Sequence, residues 1–278
     1  MNDLKSFNNA ITNTKTQDYL SQVLGSRKEQ FVTNLISLVA NDGKLQQCEP
    51  YTLMYSAMKA TALNLPVDPN LGYAAFLPYW SSKEKKFLAQ FQIMRNGWIE
   101  LLQRTGQLKS IANEIVHEGE LVSKNKFTGE YIFDEDKRVS NKVIGYMAYI
   151  KLTNGFEKTI YWTVDECKAH AAKYSKTYAD NKGLWIENFD AMALKTVLKH
   201  LINKYMPKSA QLNDAIQSDQ AVIGESLQPT AYIDNVATVE ATTIDAPAPE
   251  SYDDLVEEKK EAMRQAQAGG SSSAPVMP

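Results

Sequence analysis

Apolar residues recur at helical spacing through residues 15–41, where Tyr19, Val23, Phe31, Leu35, Leu38 and Val39 mark one side and Gly25 divides the run into two helices. A further helix is predicted over 51–64. Glu49-Pro50 opens it, because proline's fixed φ suits a first helical turn. Leu53, Met54, Ala57 and Ala60 share its apolar side, and the two prolines of LPVDPNLG end it. The period then shortens. Residues 73–80 and 87–94 are apolar, aromatic runs separated by SSKEKK, which predicts a hairpin with a basic tip. Asn96 is placed to cap a short helix reaching Thr105, with Gly106 at its end.

Residues 108–162 read as strands: 111–117, 120–126, 130–133 and 142–152, divided by turn residues. KLTNGFEK is a hairpin with Asn154-Gly155 at its tip. Thr163-x-x-Glu166 forms a capping-box signature for a short helix through Ala172, and 173–187 read as loop. The strongest helical pattern is 189–205, closed by Pro207. Leu194, Val197, Leu198, Leu201, Ile202 and Tyr205 build one apolar face, which leaves Lys195 and Lys199 a turn apart on another, with His200 and Lys204 nearby. The expected fold class is α+β, an antiparallel sheet with hairpins backed by helices.

Composition changes the picture mainly at the C-terminal end. Residues 211–278 hold 12 acidic and 3 basic residues, a balance of −9, which leaves +6 on residues 1–210 of a chain whose net charge is −3. A basic body beside an acidic tail suits a polyanion-binding protein. The expected organisation is a core over 1–210 with a flexible start at 1–14, a linker over 211–250 and an acidic, partly helical or disordered tail over 251–278. Cys48 and Cys167 fit no metal spacing and read as reduced thiols. The first fifteen residues carry no apolar secretory core, and no apolar run approaches the ~18–20 residues of a membrane span, so a soluble cytoplasmic protein is expected.

The chemistry is read first from what is missing. Neither G-x-x-x-x-G-K-[ST] nor G-x-G-x-x-G occurs, and the histidines are three: His117, His170 and His200. EIVHEGE gathers Glu114, His117, Glu118 and Glu120, but neighbours on a strand alternate faces, so a polar strand end outweighs a metal site. No serine or cysteine nucleophile can be paired with a base. The candidate contacts for an anionic polymer are Lys83, Lys85 and Lys86 at the hairpin tip, then Arg95, Trp98, Arg104 and Lys109, and Lys195, Lys199 and Lys204 on the last helix. Cations that follow phosphates and rings that stack on any base suit single-stranded nucleic acid. Each also has an ordinary explanation: a solvated turn, an ion pair such as Arg104 with Glu100, or core packing for Tyr79, Trp80 and Trp98.

Three strings carry a resemblance. LPVDPNLGYAAFLPY, FQIMRNGWIELLQRTGQ and LWIENFDAMALKTVLKHLINKYMP, in that order, resemble the RecT family of phage single-strand annealing proteins across roughly residues 20–210. The family pattern F-Q-I-x-x-x-G and R-[TS]-G-Q fits Phe91-Gln92-Ile93, Gly97 and Arg104 to Gln107. The later one fits Phe189-Asp190, Met192-Ala193, Lys195-Thr196-Val197 and Lys204-Tyr205. The resemblance implies an ATP-independent recombinase of phage or prophage origin in a bacterial host. It would coat single-stranded DNA, assemble as a homo-oligomer in rings or helical filaments, and anneal complementary strands to duplex. It implies a companion phage exonuclease and the host single-strand-binding protein as partners. Mg2+ would assist DNA binding, although the sequence shows no site for it. On that reading Lys195 and Lys199 face DNA, while Asp190 and Thr196 orient the structure. Two other classes are kept: a divalent-metal nuclease using carboxylates such as Asp68, Glu114 and Asp134, and a structural phage assembly protein.

Overall fold

The first helix of the protein lies where a flexible start is expected. The structure, a computed structural model, describes residues 2–68, 70–81, 84–219, 221–223 and 229–232. Helix α1 (Asn2–Thr12) buries Phe7 and Ile11 completely, one turn apart, with Leu4 packed on the core beside them. Leu4, Phe7 and Ile11, at i, i+3 and i+7, are a short stripe among polar letters, yet enough to dock the helix. Helices α2 (Thr14–Leu24) and α3 (Lys28–Ala40) follow as predicted, with Gly25 at φ 55° between them. Helix α4 (Pro50–Ala62) starts with its proline in the first turn.

The predicted hairpin is present as β1 (Ala74–Ser81) and β2 (Lys86–Ile93), antiparallel, with Ala74 opposite Ile93 and Ser81 opposite Lys86. On the edge of β2 that β1 does not use, four backbone groups have partners outside the hairpin. Phe87 O accepts from Glu49 N at 2.8 Å, and Thr52 Oγ1 accepts from Ala89 N at 2.8 Å. Ser56 Oγ donates to Ala89 O at 3.3 Å, and Asp219 Oδ1 accepts from Ile93 N at 2.7 Å. Buried backbone groups are thereby satisfied without a third strand.

Helix α5 (Arg95–Arg104) begins one residue before the expected cap, with Met94 at the N-cap. Asn96 instead donates from Nδ2 to Leu71 O at 2.9 Å. Strands β3 (Leu108–His117), β6 (Val143–Leu152) and β7 (Glu157–Thr163) form an antiparallel sheet in the order β3-β6-β7. Between β3 and β6 the chain makes a separate hairpin, β4 (Leu121–Asn125) with β5 (Glu130–Phe133). Tyr146, Ala148, Ile150 and Leu152 of β6 are buried in alternation, the period-two pattern of a sheet covered on that face. Helix α6 (Val164–Tyr174) carries the predicted capping box, both halves formed by Thr163 and Glu166.

Residues 173–187, expected as loop, include two short helices, α7 (Lys176–Ala179) and α8 (Leu184–Glu187). Helix α9 (Phe189–Tyr205) packs on the three-stranded sheet. The fold does not stop at the compositional change near Gln211. Helix α10 (Ala210–Ser218) buries Leu212 and Ala215, and strands β8 (Ala221–Ile223) and β9 (Pro229–Tyr232) pair beyond it. A core ending at 210 is therefore too short. The expected acidic helix over 251–268 lies outside the described residues. Among the described residues no helix is long and apolar enough to cross a membrane.

Candidate nucleic-acid interface

The three sequence strings meet at one seam. At the first meeting, Tyr73 O accepts from Met94 N at 2.9 Å. A Cβ placed on Gly97 would lie 2.1 Å from that same carbonyl oxygen, so α5 approaches the start of β1 only because residue 97 has no side chain. At the second meeting, Lys195 Nζ of α9 donates to Gln92 Oε1 of β2 at 2.8 Å. Asn113 of β3, 2% exposed, joins the same seam from the sheet side. Its Nδ2 donates to Met147 O at 3.1 Å and to Leu194 O at 3.2 Å. Its Oδ1 accepts from Arg95 Nε at 2.8 Å, and its carbonyl accepts from Arg95 Nη2 at 2.6 Å. A polar line thus runs from half-exposed Arg95 through Asn113 and the α9 backbone to Lys195, Gln92 and the end of β2.

One turn along α9, Lys199 Nζ lies 2.6 Å from Asp219 Oδ2, and the other oxygen of that carboxylate holds the Ile93 N–H. Lys195 and Lys199 are 2% and 5% exposed, and Asp219 is fully buried. The expectation of a solvent-facing lysine pair is corrected. The apolar stripe of α9 lies on the sheet, but α5 packs on the helix as well, and Gln92 of β2 and Asp219 just past α10 meet its two lysines. Trp98 is also corrected as a surface contact: it is 0% exposed and belongs to the core. Arg104 is spent on structure. Its Nε donates to Glu100 Oε1 at 2.9 Å, and its Nη1 and Nη2 donate to Leu63 O at 2.8 Å and Asn64 O at 3.0 Å. The guanidinium closes the C-terminal end of α4, where helix carbonyls lack intrahelical partners.

The other candidates stand at the surface but apart. Lys85 is exposed in the β1–β2 turn at φ 54°, and its N–H donates to Ser81 O at 2.7 Å. Lys86 is paired with Glu49 at 3.0 Å. Lys109 is exposed on β3. Lys204 is exposed near the end of α9, its Nζ 5.4 Å from the Tyr205 ring centre. Lys83 lies outside the described residues. Sequence reasoning missed Gln92, Asn113 and Asp219 as partners. Gln92 sits inside a quoted string, but only the tertiary contact gives it a role.

The acidic groups set aside earlier resolve into turns. Glu120 accepts from His117 N at 2.6 Å and lies 3.8 Å from Arg138, while Glu118 is 3.4 Å from Lys142. Hydrogen bonding from Ser140 and then the charge of Lys142 hold the Glu118 carboxyl below its usual range. Asp68 accepts from Asn70 N at 2.8 Å, Asp134 accepts from Asp136 N at 3.1 Å, and Glu114 is exposed beside Arg95. Each of these carboxylates is engaged by a backbone N–H of its own turn or by a neighbouring cation. Both cysteines are buried, and burial pushes their thiols up to about 12, far from a thiolate at neutral pH.

The model of the RecT family matches residues 29–233, a span that holds all three strings and the seam they form. The chain belongs to the RecT family. Among curated relatives it is 44% identical over 195 residues to a Bacillus subtilis (strain 168) protein named "Uncharacterized protein YqaK", covering 70% of this chain and 65% of that one. It is 27% identical over 184 residues to "Protein RecT" of Escherichia coli (strain K12), covering 63% and 65%. The chain thus spans just under two thirds of the length of the curated relatives it matches. The family match passes Gln211 and includes α10 and β8, in agreement with a RecT-family core that continues beyond residue 210.

Proposed function

We propose that this RecT-family chain is an ATP-independent DNA recombinase without a covalent catalytic step. It binds single-stranded DNA, oligomerises along it as a ring or helical filament, and anneals complementary strands in phage homologous recombination inside a bacterial cell. A phage exonuclease that exposes single strands and the host single-strand-binding protein are its partners on this reading, with Mg2+ as an aid to DNA binding. The observation that carries the proposal is the convergence of the three family strings on one cation-bearing seam, with Lys195 on Gln92 and Arg95 on Asn113.

Annealing needs no energy source, since each stacked base-pair step releases about 1.4 kcal/mol. The obstacles are phosphate repulsion and strand alignment. Surface cations relieve the first without reading sequence, as backbone contacts do. Exposed Lys85, Lys86, Lys109 and Lys204, with half-exposed Arg95, are the phosphate contacts proposed for the free surface. The test mixes two complementary fluorescent oligonucleotides, one precoated with protein, without ATP. Accelerated pairing with strand length unchanged on a denaturing gel supports the reading. Shortened strands in magnesium would turn it towards a nuclease. Assemblies that form without DNA and do not accelerate pairing would turn it towards a structural assembly protein.

A further inference from the structure

The seam contains a charged pair of unusual cost. Asp219 is fully buried and Lys199 nearly so, and two ions removed from water are no more stable than well-packed apolar residues would be. The acid comes from outside the helix it neutralises, at the end of α10, close to where the chain turns acidic. One oxygen of its carboxylate accepts from the backbone N–H of Ile93 at 2.7 Å, and the other is ion-paired with the Lys199 ammonium at 2.6 Å. Amides and ammoniums are the donors that hold a nucleic-acid phosphate. Lys195, one helical turn earlier and about 6 Å along the axis, meets the neutral amide of Gln92 at 2.8 Å. Adjacent phosphates of an extended strand match that interval. We propose that residues 209–219 are an intramolecular plug: Asp219 stands where a phosphodiester group binds, and single-stranded DNA displaces the segment to reach Lys199 and Lys195.

The attachment of the plug is suited to release. Residues 207–209, which lead into it, are exposed and outside any helix or strand. Helix α10 has 9 residues, shorter than isolated helices that persist in water. It docks through buried Leu212, Ala215 and Ser218, through partly buried Ile216, and through the Lys59–Asp214 ion pair at 3.0 Å, whose side chains are 27% and 42% exposed. Three apolar anchors on one short helix and a partly solvated ion pair mark a segment that opens locally before the fold does. Displacement replaces one anion by another, so Ile93 N–H and both ammoniums keep partners throughout. The plug lowers the fraction of protein ready to bind and so weakens apparent affinity by that fraction.

This inference rests on the proposed binding of single-stranded DNA, and the experiment separates the two. Hydrogen exchange is measured on the full chain, free and saturated with a long oligothymidylate, and affinity is measured for Asp219→Asn beside Asp18→Asn, a charge-matched change at an exposed site on α2. The expected result is faster exchange in α10 on DNA binding, and roughly three- to tenfold tighter binding by Asp219→Asn, with Asp18→Asn unchanged. Full protection of α10 at saturation, or equal affinities for the two variants, overturns the plug while leaving DNA binding standing. If Asp219→Asn does not fold, exchange in the wild-type chain decides alone. No binding of the oligonucleotide by the wild-type chain overturns both readings.

Discussion

At the scale of single residues, the conspicuous letters of the strings turn out to be packing requirements. Gly97 is the clearest. Adding one methyl brings it to 2.1 Å from Tyr73 O, and the obstacle is backbone that cannot rotate away. Gly97→Ala is expected to cost about 3 kcal/mol, lowering Tm by roughly 6–12 °C; a melting curve that overlays the wild type would show that α5 can retreat from β1. Asn113 is as constrained. Its amide nitrogen serves two carbonyls, Met147 O and Leu194 O, so an isosteric carboxylate would set oxygen against oxygen. Asn113→Asp should cost about 3 kcal/mol at neutral pH despite the nearby Arg95. Burial and the two carbonyls would raise the new carboxyl above its unfolded value. The variant should then regain stability as pH falls through that raised value, which denaturant titrations at neutral and acid pH would detect. The buried position of Lys195 and Lys199 also changes what charge reversal means. Lys199→Glu places a second carboxylate against Asp219, so a lost activity would report disturbed packing as well as lost DNA contact.

At the scale of elements, two joints hold the layers together. The fork of Arg104 ties α5 to the two carbonyls just past α4, of Leu63 and Asn64. Arg104→Ala should cost about 2 kcal/mol, since two carbonyls and Glu100 lose a charged donor. Arg104→Lys should recover only part, because an ammonium lacks the planar fork. Chemical denaturation of the three proteins orders them, and a lysine variant equal to wild type would remove the fork from the account. The other joint is α9 on the sheet, where His200 lies 5.1 Å from Trp162. His200 is exposed to solvent, and partial desolvation, followed by the charge of Lys204, pushes its imidazole below its ordinary value. A histidine depressed in the folded state stabilises the protein above its unfolded value and loses that contribution as pH falls from there towards the folded one. Stability should therefore decline below about pH 6.5. His200→Gln should flatten that part of the curve; an unchanged slope would assign it to other groups.

At the scale of the whole molecule, the charge split acquires a location. The basic body and the acidic C-terminal stretch are not separate bodies in sequence order, because α10 and Asp219 return to the seam and neutralise a lysine inside it. The annealing measurement belongs at this scale, since salt reports the sum of phosphate contacts. For single strands, log K should fall with log salt at a slope of about −0.7 per phosphate neutralised. Binding through four or five cations therefore predicts a slope near −3. A flat response would mean that the exposed lysines do not follow the strand, and that any pairing activity arises elsewhere.

The sequence by itself determined the local elements, because period, caps and turn residues act over a few positions. The β1–β2 and β6–β7 hairpins, the Thr163 capping box and the long α9 were legible for that reason. The family was legible too, through strings whose glycine, arginine and lysines satisfy close contacts. Tertiary structure alone decided which faces are open. Helical periodicity assigns one apolar stripe to α9 but cannot say that α5, Gln92 and Asp219 meet the helix elsewhere. It therefore left Lys195 and Lys199 outside, Trp98 at a groove and Asp219 in a linker. Burial is a property of what lies across the contact, and that partner is 103 residues away for Lys195 with Gln92 and 126 for Asp219 with Ile93.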